Sequence, residues 1–173
     1  SNAEAILAHF SEGAGAEVGE VVWVATNRRE AGVRERARRF GVEESHVPKT
    51  DMASGALLEE LRARRVGWVV LAGFLLKVPS DVCAAFEGRM VNIHPALLPN
   101  YGGAGMYGMN VHRAVKEAGE AVSGMTIHFV NAHYDEGDIV FQGEVDLAPE
   151  DSADDIAAKV LTLEHRHYPK VLE

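Results

Sequence analysis

Runs of β-branched and aromatic residues recur along the chain, separated by segments of helical spacing, and this alternation constrains the fold more than any other feature. The apolar runs fall at 20–25, 68–72, 90–94, 123–130 and 139–145. Between the earlier ones lie 29–40, 54–65, 80–86 and 110–118, where apolar residues return at helical intervals. A further helix is predicted over 4–10 and a last one over 153–167, with Ser152 as cap and Asp154 and Asp155 in its first turn. The unbroken apolar run Trp68-Val69-Val70-Leu71-Ala72 suits a parallel strand covered on both faces, whereas the two late runs suit an antiparallel pair at one edge. The expected class is α/β: a Rossmann-like open, mostly parallel twisted sheet with helices on both faces.

A chain of 173 residues, 47% hydrophobic and 25% charged, is expected to fold as one domain around a single core. Its formal net charge of -9 repels a phosphate backbone, and the densest basic run, 34–39, is interrupted by Glu35 and Ala37 in the manner of a solvated helix face, so nucleic acid is not an expected partner. Cys83 is the only cysteine, which forbids an internal disulfide and suits a reducing compartment. No apolar run reaches the roughly 18 residues of a membrane span, and the expected location is cytoplasmic. The eight histidines lack metal-ligand spacing, since His165 and His167 diverge on a helix and neither CxxC nor HExxH occurs. No metal is expected.

Asn92 and His94 stand two apart at the end of a predicted strand, so their side chains share one side of the sheet. Ligand crevices of open α/β sheets lie at the carboxyl ends of the strands, where Pro95 opens the longest stretch without periodicity, 95–109. An amide donor and an imidazole there can hold the oxyanion of an acyl-transfer reaction. The pair taken alone suits a polar strand terminus equally well. Asp135 lies in the turn Tyr134-Asp135-Glu136-Gly137-Asp138, whose composition backbone geometry alone explains. A carboxylate near His94 would favour the imidazolium and tune it for proton transfer. His128 alternates with Thr126 and Val130 on one strand face and reads first as a hydrogen-bonded core histidine.

Three separated strings are more specific. NIHPALLPNY from Asn92, with VVLAGFLLKV before it and SGMTIHFVNAHYDEGDIVFQ after it, resembles the glycinamide ribonucleotide formyltransferases, folate-dependent formyltransferases of purine synthesis, and the closing DSADDIAAKVLTLEHRHYPKV resembles their final helix. The resemblance runs through the whole chain and implies the formyltransferase fold, with 10-formyltetrahydrofolate as co-substrate and small-molecule substrates as partners. It also implies a formyl group passed to the amine of glycinamide ribonucleotide, by a monomer or homodimer. Carried over by position, Asn92, His94 and Asp135 match the catalytic set. Leu75, Leu76, Lys77 and Val78 match the segment lining the pterin pocket, and Asn131, Ala132, His133, Tyr134 and Asp135 match the loop over it. Glu164 matches a ribonucleotide contact, and Ser1 and Asn2 match the end of a phosphate-binding turn.

Departures accompany the match. Leu76 stands where the family often has arginine, Leu161 replaces a glutamine near the sugar, and the loop YGGAGMYGMNVH is longer than usual, with His112 aligned to a family histidine. Ser1-Asn2-Ala3 reads either as the remnant of an expression tag or as a native tail, and its register with Ala5 and Ile6 favours the tail. The expectation is a single domain over 1–173, with its first strand and Gly-rich phosphate turn lying upstream. Rival readings are another folate formyl-handling enzyme, such as a methionyl-tRNA formyltransferase or a formyltetrahydrofolate hydrolase, and a folate- or nucleotide-binding module without turnover.

Overall fold

The structure is a computed structural model and describes residues 1–131 and 135–173. Helix α1 (Asn2–Glu12) opens the chain, followed by a 3₁₀ turn at Ala14–Glu17. Strand β1 (Val24–Thr26), helix α2 (Val33–Arg39) and strand β2 (Glu44–His46) form a unit in which β1 and β2 pair in parallel. Helices α3 (Lys49–Ala53) and α4 (Ala56–Ala63) lead to strand β3 (Val69–Leu71), helix α5 (Ser80–Ala85) and strand β4 (Met90–His94). Helix α6 (Met109–Glu117), strands β5 (Val122–Phe129) and β6 (Ile139–Asp146), and helix α7 (Ala153–Val171) complete it.

The α/β class is present, with its strands in two sheets. One holds β1 and β2, and the other has the order β3-β4-β5-β6. Pairing is parallel between β3 and β4 and antiparallel from β4 to β5 and from β5 to β6. The antiparallel half begins at β4, one strand earlier than an edge pair alone would require. The predicted strand 20–25 starts late, at Val24, because only the stretch opposite Glu44 finds a ladder partner. Strand β2 has no apolar signature. It forms because β1 lies beside it and because Arg34 and Arg38 of α2 grip Glu44, at 2.5 and 2.7 Å. The single helix predicted over 54–65 is preceded by α3 and begins at Ala56, since Gly55 turns the chain at φ 87°, a conformation favourable to glycine.

Strand β4 lies between two apolar clusters. Val91 and Ile93 pack with Ile6 of α1, Val115 of α6, Met125 and Ile127 of β5, and Val160 and Tyr168 of α7. Met90 packs on the opposite face against Leu58, Leu61, Val82 and Phe86. By the two-residue period, Asn92 and His94 continue the Met90 face, beyond the cover that α4 and α5 provide. Helix α7 starts on a capping box, in which Ser152 Oγ accepts from Asp155 N–H at 3.2 Å and Asp155 Oδ2 accepts from Ser152 N–H at 2.9 Å. Its buried Tyr168 hydroxyl donates to the carbonyl of Leu71 at 2.8 Å, which ties the helix to the carboxyl end of β3.

Candidate active site

The antiparallel register sets His128 of β5 opposite Asn92 and Thr126 opposite His94. Asn92 Nδ2 lies 3.3 Å from His128 Nε2. The other nitrogen of His128, Nδ1, donates to the carbonyl of Phe129 at 2.9 Å, which leaves Nε2 to face Asn92 and the cavity. His94 is similarly fixed: its Nε2–H donates to the carbonyl of Tyr101 at 2.7 Å, and Nδ1 faces Asp135 Oδ2 at 3.6 Å. Asp135 Oδ1 lies 3.5 Å from His128 Nε2, so one carboxylate stands between two imidazoles. Gly103 N–H donates to Asp135 Oδ2 at 3.0 Å.

Thr126 holds the loop that makes this possible. Its hydroxyl donates to the Ala96 carbonyl at 2.6 Å and accepts from Leu98 N–H at 3.0 Å and from Gln142 Nε2 at 2.9 Å. Gln142 also donates to the Leu98 carbonyl at 3.0 Å. The chain after His94 is thus bonded to β5 and β6, and it turns back far enough to bring Tyr101 onto His94. Gly124 is required nearby, because a Cβ there would collide with the carbonyl of Gly143.

Burial dominates the electrostatics. His94 is 4% exposed, and burial lowers its pKa below the ordinary 6.5 although Asp135 and the Tyr101 carbonyl pull it upward. The expectation that Asp135 holds His94 as an imidazolium is therefore corrected: desolvation outweighs the pull of Asp135 and favours the neutral ring. For Asp135, burial raises the pKa, but the His128 contact and the Gly103 N–H together outweigh it and hold the carboxyl low. Burial also lowers His112 and raises Glu164 and the Cys83 thiol. Cys83 is thus poorly disposed to act as a thiolate.

A cavity of about 640 Å³ opens at this end of the sheet. Asn92, His94, His128 and Asp135 line it, as do Leu75, Leu76, Lys77, Val78 and Asn131. Ala132, His133 and Tyr134 lie outside the described residues. Asn2 and Glu164 also line the cavity and are bonded to each other, Asn2 Nδ2 donating to Glu164 Oε2 at 2.7 Å. Ser1 caps α1 instead, its hydroxyl accepting from Glu4 N–H at 3.3 Å. Sequence reasoning placed His128 in the core first and passed over Thr126, Gln142 and Gly103; the alternation of Thr126 and His128 was the available signal. Among the described residues no group of three or more His, Cys, Asp or Glu side chains could hold a metal ion, and no helix is long and apolar enough to cross a membrane.

The family model described as formyl transferase matches residues 1–172. The chain belongs to the formyl transferase family. A chloroplastic phosphoribosylglycinamide formyltransferase of Arabidopsis thaliana is 41% identical over 160 residues, covering 89% of this chain and 55% of the relative. The phosphoribosylglycinamide formyltransferase of Escherichia coli strain K12 is 35% identical over 159 residues, covering 89% of this chain and 73% of that one. Against the plant relatives the chain spans about half their length. The crystal structure of glycinamide ribonucleotide transformylase 1 from Symbiobacterium toebii superposes with a TM-score of 0.89 at 37% identity, covering 99% of this chain and 80% of that one.

Proposed function

We propose that this formyl transferase passes a formyl group from 10-formyltetrahydrofolate to the amine of glycinamide ribonucleotide, with Asn92, His94 and Asp135 as its catalytic residues. The observation that carries this reading is the convergence of an amide, an imidazole and a carboxylate on one cavity at the carboxyl end of the sheet. Leu75, Leu76 and Val78 give that cavity an apolar wall suited to a flat heteroaromatic ring, and Lys77 and Asn131 add polar groups. The resemblance to the glycinamide ribonucleotide formyltransferases makes Ala132, His133 and Tyr134 further candidates for folate contact. Glu164, with Asn2 and Ser1, is assigned to the ribonucleotide.

When bound, the folate supplies a formyl carbon attached to nitrogen and open to attack by an amine. One C–N bond forms, one breaks, and one proton passes from the incoming nitrogen to the departing one. Asn92, whose amide nitrogen lies 3.3 Å from His128 Nε2, presents an N–H to the formyl oxygen, where negative charge develops. His94 has Nε2–H committed to Tyr101 and Nδ1 available, so Nδ1 takes the proton and returns it to the leaving nitrogen. Asp135, 3.6 Å away, stabilises the charge His94 carries between those two transfers.

The test is formyl transfer by the purified protein, followed by the absorbance of the released folate, with glycinamide ribonucleotide present or withheld. Release that requires the ribonucleotide is expected. Release without it would identify a hydrolase, and binding of both ligands without release would identify a binding module.

A further inference from the structure

His112 sits in the first turn of α6, is 6% exposed, and lines the same cavity. Its Nδ1 is fully buried and has no hydrogen-bond partner among the described residues. Leaving such a nitrogen unpaired is costly, and buried polar groups in folded proteins are seldom left so without a functional reason. A second buried atom in this cavity is in the same condition. Asn2 Nδ2 is spent on Glu164, and Asn2 Oδ1 has no partner. Of the five side chains with such atoms among the described residues, Arg64, Ser123 and His165 lie outside the cavity lining, whereas His112 and Asn2 belong to it.

The chemistry of the set defines the ligand. Asn2 Oδ1 can only accept, Glu164 contributes carboxylate oxygens, and helices α6 and α7, which carry His112 and Glu164, pack together. Acceptors lining one cavity oppose an anion and call for hydrogen-bond donors such as sugar hydroxyls. A neutral imidazole nitrogen completes the set, because a hydroxyl can either donate to it or accept from it. Burial favours that neutral form of His112. We propose that His112 is a further substrate-binding residue whose Nδ1 hydrogen-bonds a ring hydroxyl of the sugar held by Glu164 and Asn2. The inference rests on the ribonucleotide reading above and adds to it a residue that senses the sugar rather than the formyl group.

The test is a cycle of protein and ligand variants read by calorimetry. His112→Phe keeps a ring and removes both nitrogens, His112→Asn keeps a nitrogen near the Nδ1 position, and His112→Gln moves it outward to the Nε2 position. Each is titrated with glycinamide ribonucleotide and with its two monodeoxy forms, each lacking one ring hydroxyl, and folate binding serves as the control. His112→Phe and His112→Gln are expected to weaken ribonucleotide binding roughly tenfold, the loss of one hydrogen bond, while His112→Asn weakens it far less. Folate affinity stays unchanged, and the penalty disappears for the monodeoxy form that lacks the contacted hydroxyl. Equal penalties for all three ligands, or none for any, overturn the assignment. If His112→Phe does not fold, the contrast between His112→Asn and His112→Gln carries the same test. Should the parent protein fail to bind the ribonucleotide, the functional reading falls together with this one; should it bind with no dependence on His112, only this one falls.

Discussion

At the residue scale the site is a chain of contacts in which each outer nitrogen is pinned by a carbonyl and each inner one faces the cavity. Asn92→Ala is expected to lower kcat on the order of a hundredfold, about 3 kcal/mol, with a much smaller change in the Michaelis constant for folate, because the lost donor acts on charge that develops only during transfer. Steady-state kinetics with both substrates varied separates the two, and an equal loss in binding and turnover would assign Asn92 a ground-state role. Thr126→Val is nearly isosteric yet removes a hydroxyl that makes three hydrogen bonds. It should cost about 1–3 kcal/mol in denaturant unfolding, since Leu98 N–H and the Ala96 carbonyl lose a buried partner. Turnover should fall as well, because the loop bearing the Tyr101 carbonyl would no longer be held against His94. Unchanged turnover in a destabilised variant would disconnect the loop from catalysis.

At the element scale, α7 matters for where it places Glu164 and Tyr168. Its capping box satisfies two helix-end groups reciprocally, and Ser152→Ala should cost about 1 kcal/mol in chemical unfolding, with no effect on folate affinity. A larger loss, or one that reaches ligand binding, would show that the start of the helix is coupled to the cavity. Strands β4 and β5 act as one unit, because together they supply three of the four groups in the site. A slip of one residue would turn Asn92 and His94 to the other face and bury their polar atoms among Ile6, Val115 and Val160.

For the whole molecule, acidification acts through buried imidazoles. Folding lowers the pKa of both His94 and His112 below 6.5, so the unfolded chain binds protons that the folded one rejects. The stability due to this difference is complete above pH 6.5 and is lost as pH falls toward the folded values. Asp135, also depressed, adds a loss at lower pH, below its ordinary 3.8. Glu164 acts in the opposite sense: its raised pKa favours folding at low pH, and that contribution is lost as pH rises through its folded value. Unfolding free energy measured between about pH 7.5 and about pH 5.5 should therefore decline, and His94→Asn should flatten the decline. An unchanged slope in that variant would mean that His94 titrates alike in both states. Formyl transfer should fall over the same acid range, since the mechanism begins from neutral His94.

The sequence by itself determined what depends on neighbours along the chain. Apolar periodicity marked most helices and strands, the two-residue period put Asn92 and His94 on one side of β4, and Ser152 with Asp155 marked the start of α7. Tertiary structure decided what depends on partners distant in sequence. Strand β2 carries no apolar signal of its own and exists through its pairing with β1 and the arginines of α2. His128 has the same local pattern whether it fills a core or faces a site, and only its register against Asn92 separates the two. Asp135 meets His94 because β5, which it follows, pairs with β4, while Thr126 and Gln142 fold the loop that brings Tyr101 onto His94, and the protonation preference of His94 follows from how deeply that fold buries it. Desolvation and cross-strand register are properties of the assembled chain, and for that reason residue types and spacing could suggest the proposed catalytic set but could not fix its charge.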